Sequence, residues 1–247
     1  MFPIEPEISP DERPEEMPPI PTEMPDNPVL EGIKEIGSAQ MGSMQRDPIQ
    51  CITIIGQIEG HLLLPPHNKT TKYEHIIPLL VDMEQDENVK GLLFLLNTVG
   101  GDVEAGLAIA EMISGLSKPT VSLVLGGGHS IGVPLAVSTR HSFIARTATM
   151  TVHPIRMNGL IIGVAQTYEY FNRMQERIVS FVAQHSIISE SEFRRLMLKT
   201  GDLANDIGTI LVGQDAVQCG LIHEVGDVKD ALRKLQALIQ ESEQKKS

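Results

Sequence analysis

Strand-length runs that stay apolar instead of alternating with polar residues constrain the fold of this chain most. Residues 91–96 and 120–125 are such runs, and 51–56 is a β-branched stretch that ends on glycine. A strand wetted on one face alternates, whereas a continuously apolar one is buried on both, as in a parallel sheet covered by helices. Between the runs lie helical segments at 73–85 and 102–116. The second places Val103, Leu107, Ala110 and Ile113 at helical spacing, with Asp102 available as N-cap. The order is therefore β-α-β-α-β. Further along, the pattern predicts a helix after Ser130, short strands over 142–146 and 149–153, a long helix over 164–185, a strand over 209–212, and a terminal helix over 228–238 with a frayed 241–247 tail.

One coherent series of buried segments in 247 residues fits a single large domain, here 46–240. The 1–45 segment differs sharply. Prolines recur from Pro3 to Pro28 among Glu and Asp, a composition expected to stay extended and largely disordered, serving as a solubilising tail or a partner-docking arm. A net charge of −12 without clustered Lys and Arg excludes a phosphate-backbone partner, so no nucleic acid is expected. Cys51 and Cys219 form no CxxC, which points to a reducing compartment. The first residues lack the basic start and apolar core of a secretory leader, and no apolar run approaches the roughly 20 residues of a membrane span, so a cytoplasmic location with no transmembrane segment is expected. His61, His67 and His75 are scattered without a metal-binding pattern, and Gly126-Gly127-Gly128 lacks the Lys-Ser/Thr of a phosphate loop; no metal and no cofactor are expected.

The chemistry-bearing segments are 97–102 (Asn-Thr-Val-Gly-Gly-Asp), 125–132 (Leu-Gly-Gly-Gly-His-Ser-Ile-Gly) and 150–154 (Met-Thr-Val-His-Pro). A serine at a glycine-rich strand-to-helix turn is held away from its sheet and can act as a nucleophile once a base takes its proton and backbone donors receive the oxyanion. His153 and the Gly100-Gly101 turn are available for those roles. Taken singly, each has a plainer explanation: a turn serine, a structural histidine, a helix start.

Together, in this order, the motifs resemble those of the Clp-type serine peptidases over about residues 51–235, and within that family the likeness is greatest to translocation-enhancing Clp-like proteins of Gram-positive bacteria. The resemblance implies an α/β Clp-peptidase/crotonase-like fold of repeated β-α-β units with a projecting handle helix. It implies Ser130 as nucleophile, His153 as general base and acid, and the backbone N–H groups of Gly101 and Ile131 as the oxyanion hole. His129, where the family places a small residue, is expected to line and narrow the pocket. The stripe Phe171, Met174, Ile178 and Phe181 becomes the expected inter-ring face of the handle. Anchored on Gln214–Ile222, the family's triad aspartate falls on Gly208; Asp206 is the favoured orienter and Asp202 the alternative.

The implied partners are polypeptide substrates including secretory preproteins, further copies in stacked rings, and an ATPase as candidate feeder. The expected function is a serine endopeptidase. Its alternatives are a Clp-like scaffold that binds preproteins without cleaving them, and a crotonase-like acyl-CoA enzyme, which shares the sheet and a two-amide oxyanion hole but is disfavoured by a Ser-His pair with no acidic base beside that hole.

Overall fold

The computed structural model describes residues 47–156, 163–201 and 207–246. Its main sheet is parallel throughout, in the order β2-β1-β3-β4-β5-β8. The strands are β1 (Ile49–Glu59), β2 (Thr70–Lys72), β3 (Gly91–Gly101), β4 (Thr120–Gly128), β5 (His141–Ile144) and β8 (Glu224–Val225). A smaller layer springs from the end of β4, where Gly127 pairs with Thr149 of β6 (Thr149–Val152), which in turn runs antiparallel to β7 (Thr209–Val212).

The unbroken apolar runs have their physical reason in two cores. Alternate residues of β3 part company: Leu92, Phe94 and Leu96 enter the larger core, beneath helices α1 (Tyr73–Gln85), α2 (Val103–Ser114) and α3 (Gly132–Val137). Leu93 points the other way, joining Val121, Leu123 and Phe143 against Ala231 and Leu235 of α7 (Val228–Lys246). Period-two alternation is present, but both faces are dry.

Helix α2 starts as anticipated, with the Asp102 carboxylate accepting the Ala105 N–H at 2.9 Å. Helix α1 ends under the Lys118 ammonium, which donates to the carbonyls of Met83 and Asp86 and so satisfies acceptors the helix itself leaves open. Helices α4 (Val164–Gln184), α5 (Glu190–Met197) and α6 (Gln214–Gln218) complete the described residues.

Several expected boundaries move. Strands β1, β3 and β4 run beyond 51–56, 91–96 and 120–125, because Asn97, Thr98, Gly100 and Gly128 carry backbone ladder bonds that need no apolar side chain. Strand β5 sits at His141–Ile144 rather than 142–146. Helix α7 continues to Lys246, through a Glu-, Gln- and Lys-rich stretch of good helix formers where a frayed tail was expected. The 1–45 arm lies outside the described residues.

The stripe assigned to the handle needs correction. Phe181 is buried in the chain's own core beside Val179 and Val182, Met174 is buried as well, and Ile178 lines the cleft described below, which leaves Phe171, half-buried, as the one member of the stripe to which that correction does not extend. Only the first half of α4 projects, with Val164 75%, Tyr168 73% and Tyr170 54% exposed. Helical spacing alone marks an apolar face without saying whose core it enters. Among the described residues no helix is long and apolar enough to cross a membrane.

Candidate active site

The C-terminal ends of β3 and β4 converge on one cleft of about 150 Å³, and Gly101, Ser130, Ile131 and His153 all line it. These residues come from β3, the β4–α3 turn and the exit of β6, far apart in sequence.

Ser130 has φ of 57°, the one non-glycine residue with positive φ among the described residues. A side chain in the left-handed region is sterically disfavoured, so the turn must be held from several directions. The N–H of Ser130 donates to the Thr151 carbonyl (2.9 Å) and that of His129 to the Thr98 carbonyl (3.1 Å), while the carbonyls of His129 and Ser130 accept from Gly132 and Val133 as α3 begins. Beneath the serine lies Gly100, where an added Cβ would come within 2.7 Å of the Ser130 Cβ; only glycine leaves room for the nucleophile turn. The N–H of Gly100 is taken by the Thr98 hydroxyl at 3.1 Å.

His153 is half-buried, and its Nδ1 lies 2.6 Å from the Pro154 carbonyl oxygen. A carbonyl only accepts, so Nδ1 carries the proton in this bond, leaving the lone pair of a neutral ring on Nε2. That tautomer is the one a serine's general base requires. Apolar side chains form the remaining walls, notably Val133, Val152, Phe193 and Met197, with Arg156 at the rim. Such a lining suits an apolar group.

His129 is not among the residues lining this cleft. Its Nδ1 shares a 2.9 Å hydrogen bond with the Thr151 hydroxyl and its ring lies over Gly127, where an added Cβ would sit 2.7 Å from Nε2. The expectation that it narrows the pocket is therefore corrected. Burial, then the electrostatic influence of His153, lowers its pKa and favours the neutral ring.

Asp206 and Asp202 lie outside the described residues. Gly208 is described: its φ is 141°, its N–H donates to the Lys199 carbonyl at 2.8 Å, and the neighbouring Thr200 and Ile207 form an antiparallel bridge. The sequence reading missed the Pro154 carbonyl, Arg156, and the α5 side chains Phe193 and Met197. No side-chain pattern announces a backbone acceptor, and α5 reaches the cleft only through tertiary packing.

Comparison with known proteins identifies the family. The family model for Clp protease matches residues 45–229. The translocation-enhancing protein TepA of Halalkalibacterium halodurans is 60% identical over 215 residues, covering 87% of this chain and 84% of that protein. More distant are an ATP-dependent Clp protease proteolytic subunit of Leuconostoc citreum, 30% identical over 37% of this chain and 46% of that subunit, and proteolytic subunit 1 of Protochlamydia amoebophila, 26% identical over 61% and 72% respectively. With its parallel sheet, its strained serine turn and a family match across most of its length, this chain belongs to the Clp protease family.

Proposed function

We propose that this protein is a serine peptidase acting on unfolded polypeptides. The observation that carries the reading is Ser130, held at positive φ in a cleft shared with His153 and Gly101. Ser130 Oγ attacks the scissile carbonyl carbon while its proton passes to His153 Nε2. The N–H groups of Gly101 and Ile131 receive the oxyanion, each such donor being worth about 3–4 kcal/mol in acyl transfer. Collapse breaks the C–N bond as His153 returns the proton to the departing amine, and water attacks the acyl-enzyme by the same route to free Ser130. Asp206 is the proposed orienter of His153, taking over the Nδ1–H hydrogen bond that the Pro154 carbonyl accepts in this structure.

The name of the Halalkalibacterium relative supports a role in translocation; secretory preproteins as substrates and a cytoplasmic site of action are part of the same proposal. The relatives named as ATP-dependent proteolytic subunits support an oligomer with an ATPase as partner; that the copies are identical and form stacked rings is proposed with it. Family membership sets aside the acyl-CoA alternative. A second reading, a scaffold that holds preproteins without cutting them, is favoured by one observation: Gly208 stands where the family places its aspartate and offers no carboxylate.

Fluorophosphonate labelling, which requires an activated serine, separates the two. Wild-type protein labels and hydrolyses unfolded peptides, and Ser130→Ala does neither. A wild type that remains unlabelled overturns the peptidase reading in favour of the scaffold.

A further inference from the structure

Thr151 touches both residues at the centre of the nucleophile turn. Its carbonyl accepts the Ser130 N–H at 2.9 Å, and its hydroxyl shares a hydrogen bond with His129 Nδ1, also 2.9 Å. Any residue at 151 supplies the carbonyl. The hydroxyl-to-imidazole bond needs these two side chains.

Thr151 also lies on β6, two residues before His153. Side chains two apart along extended backbone project to the same side, so Thr151 and His153 face the same way, and the electrostatic influence of His153 on the His129 ring reflects that closeness. His129 is tied into β3 as well, through its N–H to the Thr98 carbonyl at 3.1 Å. One residue thus joins the strand before the oxyanion turn, the turn bearing the nucleophile and the strand bearing the base. The interval between Ser130 and His153 depends on how β6 sits against the β4–α3 turn, and besides the Ser130 N–H to Thr151 carbonyl bond the strand β4 is paired with β6 only through Gly127 and Thr149 among the described residues.

We propose that His129 and Thr151 form a positioning pair that fixes the nucleophile turn against the strand carrying His153. The pair acts through Ser130 and His153 and contacts no substrate. The inference rests on the peptidase reading for its catalytic consequence, and has a structural readout that does not.

The experiment uses the full chain with Thr151→Val, Thr151→Ser, His129→Ala and the double variant Thr151→Val/His129→Ala. Hydrogen exchange of the Ser130 amide reads the clamp directly: protection falls about tenfold or more in Thr151→Val and His129→Ala and returns in Thr151→Ser. On an unfolded-peptide substrate kcat falls about tenfold with KM nearly unchanged, because small misplacements of reacting groups are costly while binding surfaces stay intact. The double variant loses no more than either single variant, as expected of residues sharing one interaction. Unchanged Ser130 protection, additive losses, or a loss confined to KM overturns the pair. Wild-type protein that neither labels with fluorophosphonate nor cleaves, yet shows the exchange pattern, defeats the peptidase reading and leaves the clamp standing.

Discussion

Acidification should destabilise this protein through a histidine remote from the cleft. At the start of β5 the His141 ring stacks on His223 with centroids 4.6 Å apart and lies 4.9 Å from Phe143. His223 Nδ1 accepts the Ser142 N–H at 3.2 Å, an interaction available only to an unprotonated nitrogen. Burial first, then the charges of His223 and of Lys234 on α7, lower the His141 pKa from 6.5 to about 4, against the upward pull of Glu224, whose Oε1 is 2.9 Å from Nε2. The Glu224 side chain is 58% exposed, so solvent screens that attraction and burial prevails. Between pH 6.5 and 4 the unfolded chain binds the proton and the folded one refuses it. The stabilisation is therefore full above pH 6.5 and is lost as pH falls toward 4, amounting to about 2 kcal/mol between pH 7.5 and 5. His223, also lowered by burial, adds in the same direction. Urea unfolding at both pH values, with wild type and His141→Phe, isolates the effect, since every other titrating group is common to both. The variant should lose about 2 kcal/mol less on acidification. Equal losses, or a His141 pKa above 6.5 by NMR titration, would show that the Glu224 ion pair outweighs burial.

The strain at Ser130 predicts that Ser130→Gly is more stable than Ser130→Ala by about 1 kcal/mol, because alanine keeps the Cβ that positive φ disfavours; the reverse order in chemical denaturation refutes it. Val164→Asp with Tyr168→Asp should lower the particle mass seen by light scattering while circular dichroism stays native, whereas Phe181→Asp, which buries a charge, should unfold the chain. Asp206→Asn should cut peptide hydrolysis by orders of magnitude and Asp202→Asn far less, since loss of an orienting carboxylate costs about 10⁴ in kcat; equal effects would remove Asp206 from its role.

Much of this molecule is legible in side chains. The dry strands declared themselves by unbroken apolar runs and Asp102 by its place before a helical stripe, and Ser130, His153, Gly101 and Ile131, singled out by motif order, line one cleft. What stayed hidden is carried by backbone or by tertiary choice. The polar ends of β1 and β3 pair through amides that no hydropathy pattern records. The stripe on α4 has an apolar period that is equally compatible with the chain's own core or a neighbour's, and packing into the chain's own core decides the matter for Phe181. The sequence names His129 as a neighbour of Ser130 but carries no sign of the Thr151 hydroxyl that draws its ring over Gly127 and out of the cleft lining.

The order in which the strands join has a consequence for synthesis. Strand β5 gains its outer neighbour only from Glu224 and Val225, and Ser142 bonds a histidine 81 positions later. Leu93, Val121, Leu123 and Phe143 find their cover on α7, at the very end of the described chain. A ribosome delivering residues in sequence, at about 5–20 per second, therefore exposes an uncapped strand edge and a bare apolar sheet face for as long as the segment from β6 to α7 takes to emerge. Until that final helix leaves the exit tunnel, the nascent protein is itself a client for whatever binds unfolded chains.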